Sequence, residues 1–81
     1  MSLAGVKIQN QPIREGETCQ IEVSGDGLVE VVVTIGGVLI GRFQVMPPTV
    51  LPVKIPMDTA GKTLRVAIPG DFASTFILAG K

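Results

Sequence analysis

The sequence predicts an all-β protein: one small antiparallel β-sandwich of about seven strands. Three observations carry that expectation. Val, Ile and Thr supply 25 of the 81 residues, in short runs separated by Gly, Pro, Asn and Asp, as expected for strands joined by turns. No stretch repeats apolar residues at i, i+3, i+4 and i+7 over three turns, and six prolines and ten glycines interrupt every window long enough for a helix. A chain of this length buries about 60–65% of its unfolded surface, enough for a single modest core and not for two. Seven short strands in such a chain leave little except a sandwich or a small barrel.

The strands expected are Val6–Gln11, Thr18–Val23, Leu28–Thr34, Val38–Val45, Val50–Ile55, Thr63–Ile68 and Thr75–Leu78. The turns between them are Arg14–Glu17 (REGE), Ser24–Gly27 (SGDG), Met46–Thr49 (MPPT), Met57–Gly61 (MDTAG) and Pro69–Phe72 (PGDF). Successive strand residues point to opposite faces, so alternation assigns the sides. In TCQIEV the inward set is Cys19, Ile21 and Val23. In TLRVAI it is Leu64, Val66 and Ile68, with Thr63 and Arg65 outside. In LPVKIP it is Leu51, Val53 and Ile55, leaving Pro52, Lys54 and Pro56 outside. Proline cannot donate to a neighbouring ladder and lysine discourages edge pairing, so this segment is expected to end a sheet.

The stretch LVEVVVTIGGVLIGRF, Leu28 to Phe43, holds one acid and one base and reads as a hairpin closing at Gly36-Gly37. A two-residue turn would set Val31 opposite Arg42 and mix charge into the most apolar face. A three-residue loop of Ile35, Gly36 and Gly37 avoids this. It pairs Val29 with Phe43, Val31 with Gly41 and Val33 with Leu39 on the core side, and Glu30 with Arg42, Leu28 with Gln44, Val32 with Ile40 and Thr34 with Val38 outside. Leu28, Val32, Val38 and Ile40 then form an exposed apolar patch, the candidate interface.

Two stretches carry a family resemblance. IREGETCQIEV resembles the opening of an immunoglobulin-like domain, where an acidic-Gly turn leads into the second strand. MDTAGKTLRVAI resembles the corner before its sixth strand. The antibody-type hallmarks are replaced: Val23 and Val66 stand where the disulfide cysteines would be, Thr63 and Leu64 lie where the corner tyrosine belongs, and there is no tryptophan. The chain thus resembles the disulfide-free immunoglobulin-like or fibronectin-III-like modules of bacterial extracellular proteins. That resemblance implies an extracellular or cell-surface location.

Composition restricts function. Seven basic residues balance seven acidic ones without clustering, so neither nucleic acid nor an anionic membrane is an expected partner. No apolar run approaches the ~18 residues of a membrane span. Charged residues are 17% of the chain against ~25% in typical soluble domains, which suggests a surface partly covered by a partner. Met1-Ser2-Leu3 reads as a cloning leader, so residues 1–5 are taken as leader or flexible N-terminus and 6–81 as one domain, excised from a larger protein.

With no His, Tyr or Trp and one Cys, the usual bases and nucleophiles are nearly absent; no enzyme activity, cofactor or metal is expected. Cys19 alternates with Ile21 and Val23 and reads as core rather than nucleophile. Asp26, Asp58 and Asp71 sit beside glycines in turns but lack the spaced ligand series of a calcium loop. Gly36, Gly37 and Gly41 precede no helix and no Lys-Ser/Thr pair, so they do not make a phosphate loop. Phe43, Phe72 and Phe76 read as core rather than as a sugar platform. Two classes remain. One is a non-catalytic module that spaces, supports or docks domains, against a neighbour or a second copy. The other is a ligand-binding module for carbohydrate or peptide, with a virion or appendage subunit lying between them.

Overall fold

In the computed structural model, which describes residues 4–9 and 12–80, the chain folds into two antiparallel-dominated sheets facing each other across a shared apolar core. The strands are β1 (Gly5–Ile8), β2 (Ile13–Arg14), β3 (Thr18–Ser24), β4 (Val29–Ile35), β5 (Val38–Val45), β6 (Thr49–Lys54), β7 (Thr63–Ile68) and β8 (Asp71–Leu78). One sheet has three strands in the order β1-β3-β6; the other has five, β2-β8-β7-β4-β5. The described residues contain no helix. Met1 to Leu3 and the end of the first expected strand, Asn10-Gln11, lie outside the described residues. Ala4 packs against the core.

Alternation predicts the core faces well. Cys19, Ile21 and Val23 of β3, Leu64, Val66 and Ile68 of β7, and Val53 and Ile55 are buried, while Leu51 is half-buried against the same cluster. Their neighbours Glu22, Arg65, Pro52 and Lys54 are exposed. β6 is an edge strand, pairing only with β3 and placing Pro52 opposite Gln20. Outward prolines and a lysine end the sheet there.

The number of strands differs from the expected seven. β2, two residues long, was not anticipated; it pairs parallel with the end of β8, Ile13 with Ile77 and Arg14 with Leu78. The chain leaves β1 in one sheet and joins the other through β2, a two-residue contact too short to show periodicity. β8 starts at Asp71 rather than Thr75, because only Pro69-Gly70 form the turn and Ile68 already pairs with Asp71. Asp71 reads as a turn former, yet its side chain serves a long-range contact: Oδ2 accepts the Val6 N–H at 3.1 Å, tying β1 to β8.

The β4–β5 hairpin corrects the three-residue loop. Gly36 and Gly37 both have positive φ, 58° and 83°, the requirement of a two-residue type I′ turn whose twist suits the strands. Ile35 pairs with Val38 and Thr34 with Leu39, and the register then shifts. Ile40 is the extra residue, and beyond it Val33 faces Gly41, Val32 faces Arg42, Val31 faces Phe43, Glu30 faces Gln44 and Val29 faces Val45. The residue expected in the loop is instead absorbed as a β-bulge, which reverses the alternation of β5 in mid-strand. Gly41 and Phe43 therefore occupy the inner rows as expected, joined by Val45, whereas Val38 and Leu39 exchange sides. Ile35, expected in the loop, is buried in β4, and Glu30 lies opposite Gln44, not Arg42.

Gly61 leads the chain from the Met57–Gly61 turn towards β7. Its φ is +84° and a Cβ there would meet nothing within 4 Å, so conformation, not space, is the constraint. Its N–H donates to the Ile77 carbonyl at 2.7 Å. Gly61→Val is expected to destabilise by about 1–2 kcal/mol and Gly61→Asn by less, since Asn tolerates the left-handed region. Chemical denaturation of both variants checks this; equal losses would remove the conformational argument.

Candidate functional site

The antiparallel register of the five-stranded sheet decides what its outer face displays. One row runs Phe72 (β8), Ala67 (β7), Val32 (β4) and Arg42 (β5); the next runs Ser74, Arg65, Thr34 and Leu39. Phe76 stands opposite Thr63, one row further along. Alternation along β8 puts Leu78 on this face too. Phe72 and Phe76 are 55% and 68% exposed and Leu39 is 50% exposed, so the face is mixed, with exposed apolar side chains set among Arg42, Arg65, Ser74, Thr34 and Thr63. The Arg65 guanidinium carbon lies 4.4 Å from the centre of the Phe72 ring, a cation–π contact that shields part of one aromatic surface.

This arrangement overturns the core reading of Phe72 and Phe76. Both lie in the outward rows of β8 while Ile77 fills the core beside them. Phe43 alone of the three packs against the core, and it does so half-buried. The signal was present in the alternation of DFASTFIL, where Ala73, Thr75 and Ile77 share one parity and Phe72, Ser74, Phe76 and Leu78 the other. It becomes readable only once the strand is known to begin at Asp71.

The four residues of the expected interface are not gathered into one patch. Leu28 is exposed just ahead of β4, Val32 is half-buried in the outer row, Ile40 is exposed at the bulge, and Val38 stands opposite the buried Ile35 at the hairpin tip. The bulge moves Val38 to the inner side opposite Ile35 and leaves Ile40 unpaired, so neither stands beside Val32. Val32 joins Ala67 and Phe72 across the sheet instead.

Other candidate sites have structural partners. Cys19 is fully buried and desolvation pushes its thiol up to about 11, so it stays protonated and unreactive near neutrality. Glu15 bridges two backbone segments: Oε2 accepts the Gly80 N–H at 3.1 Å and Oε1 the Asp58 N–H at 2.9 Å. These N–H groups, Gly80 first, hold its carboxyl below the usual range. Asp58 itself has φ 66°, a turn conformation that Asp tolerates. Among the described residues no three His, Cys, Asp or Glu side chains are grouped to hold a metal, and none of them line a pocket. No protein-family model, curated protein or solved structure matches the chain.

Proposed function

We propose that the protein is a non-catalytic, immunoglobulin-like module that docks a neighbouring domain through the outer face of its five-stranded sheet. The observation that carries this reading is the exposure of Phe72, Phe76 and Leu39 on one sheet face. Large exposed apolar side chains gathered on one face, here two phenylalanines on β8 and a leucine on β5 with polar residues between them, are a common feature of interaction sites. The strand order supports the immunoglobulin-like part. If β2 is taken as a continuation of the first strand, the first, second and fifth strands of that fold correspond to β1, β3 and β6. Its third, sixth and seventh correspond to β4, β7 and β8, with β5 added beside the third. The spacing role has support as well. β1 begins beside Asp71, where β8 starts, and the described chain leaves after Leu78, where β8 ends. Entry and exit thus stand roughly 25 Å apart along the strands.

The ligand-binding reading draws on the same two phenylalanines, four positions apart on one strand. The flat surface and the lack of polar handles on both rings favour a protein partner over a sugar. Hydroxyl-radical footprinting is the test, comparing the isolated domain with the full-length gene product. Phe72, Phe76 and Leu39 are expected to be protected in the longer protein, and Phe72→Ser with Phe76→Ser to abolish docking while costing the isolated domain no more than about 1 kcal/mol. Equal labelling in both contexts would overturn the docking role. Protection by soluble oligosaccharide alone would favour the ligand-binding module.

A further inference from the structure

A second surface, independent of that face, is the free edge of β5. The two sheets have four edges, and three offer less to a pairing strand than the fourth, β2 covering only Ile77 and Leu78 of β8. β6 carries Pro52 and Lys54, β1 has four residues and gives its Val6 N–H to Asp71, and β2 has two residues. β5 has eight residues, contains no proline, and is paired on one side only. Unpaired backbone donors and acceptors along such a strand form a template for another strand.

β5 also overhangs the core. Three strands cannot cover five, and the shortfall falls at β5: Val29, Val31 and Val33 of β4 are buried, whereas their partners Val45, Phe43 and Gly41 are only half-buried. The edge is therefore short of partners in its backbone and on its inner side chains alike.

We infer that β5 pairs antiparallel with β5 of a second copy, about a two-fold axis at Phe43, joining the two five-stranded sheets into one. The bulge at Ile40 leaves Gly41–Val45 as the regular part of the edge, and centring on Phe43 is the register that pairs all five of these residues. Centring one residue earlier would set Arg42 against Arg42 of the copy, an unfavourable like-charge pair. The Phe43 register instead sets Phe43 against Phe43, Gly41 against Val45, and Arg42 against Gln44. Gln44 lies beside Glu30 within each chain, so the outer row reads Glu30, Gln44, then Arg42 and Val32 of the copy. The carboxylate and guanidinium stand two strands apart, about 10 Å at the backbone, within reach of the two long side chains extended toward each other. One step beyond the paired stretch, Ile40 meets Met46 of the copy, and both are exposed and apolar. The arrangement occurs twice by symmetry, so each dimer has two complementary charge rows and two apolar ends.

Sedimentation velocity across a concentration series, with circular dichroism and melting to confirm the fold, tests this. The wild-type domain is expected to dimerise reversibly. Arg42→Glu and Glu30→Arg, both at exposed positions, are each expected to weaken the dimer at least about tenfold, and the double charge swap to restore it to within about threefold. A wild-type domain that stays monomeric at every concentration overturns the proposal, as does a dimer indifferent to both single variants. A dimer lost in the Phe72→Ser, Phe76→Ser variant but unaffected by Arg42→Glu would place the contact on the sheet face, overturning edge pairing while leaving the docking role intact. Charge-swap rescue with Phe72 and Phe76 still freely labelled would support edge pairing whatever the fate of the docking role.

Discussion

Leu64→Ala is expected to cost about 3 kcal/mol of unfolding free energy, the largest loss from any single truncation considered. Leu64 is fully buried in β7, pairing with Ile35 of β4 on one side and Thr75 of β8 on the other. It sits in a strand held on both flanks, so the surrounding backbone has little freedom to collapse into the space left behind. The lost transfer energy and the residual cavity then add, giving about 2–5 kcal/mol for such truncations. A domain of this length has on the order of 4–12 kcal/mol in total, so one side chain accounts for a large share. Urea denaturation should show a lower midpoint with an unchanged slope. The adjacent Thr63→Ala, at an exposed site opposite Phe76, is the control and should change stability by less than about 0.5 kcal/mol. A loss below about 1 kcal/mol for Leu64→Ala would mean that the sheet closes over the gap.

Cys19→Ser is expected to cost about 1–3 kcal/mol, with Cys19→Ala milder, because the serine hydroxyl enters an apolar site while alanine only loses contacts. Cys19 is fully buried opposite Val53 in the β3–β6 pair. The same burial raises the thiol to about 11, so at neutral pH it is both shielded and protonated. A thiol reagent should react slowly with native protein and completely in denaturant. Rapid native labelling would show that β3 opens easily, and would contradict the packing of the three-stranded sheet against the five.

Both predictions rest on residues whose placement follows from alternation alone. Cys19-Gln20-Ile21-Glu22-Val23 and Leu64-Arg65-Val66-Ala67-Ile68 alternate plainly, and a strand whose side chains have period two reports its own buried face. The proline-bearing edge at β6 was equally legible, since the inability of proline to donate is a property of the residue and not of its surroundings. The β4–β5 hairpin was harder. The objection to a plain two-residue turn was sound, because Arg42 could not share a side with Val31. Two devices solve that problem, an extra loop residue or a bulge; Gly36-Gly37 favours the two-residue turn, but nothing local marks where a compensating bulge would fall. The twist-matching turn of Gly36 and Gly37 prevails, and the bulge at Ile40 takes up the extra residue.

The sequence by itself determined the all-β class, the positions of most strands and turns, the buried set of β3 and β7, and the edge character of β6. Each is a local property: residue propensity, turn chemistry or a period of two along one strand. Tertiary structure alone decided what becomes of the faces. Where both sides of a strand carry apolar residues, as in β5 and β8, alternation does not show which side another sheet covers, and in no strand does it show how far the cover extends. Phe72 and Phe76 are exposed because β8 presents Ile77 to the core and its other side to the outside. Phe43 and Val45 are half-buried because a three-stranded sheet ends before it reaches β5. The open edge arises from that mismatch of three strands against five, and the exposed face from β8 turning Ile77 inward; both depend on pairings between residues far apart in the chain.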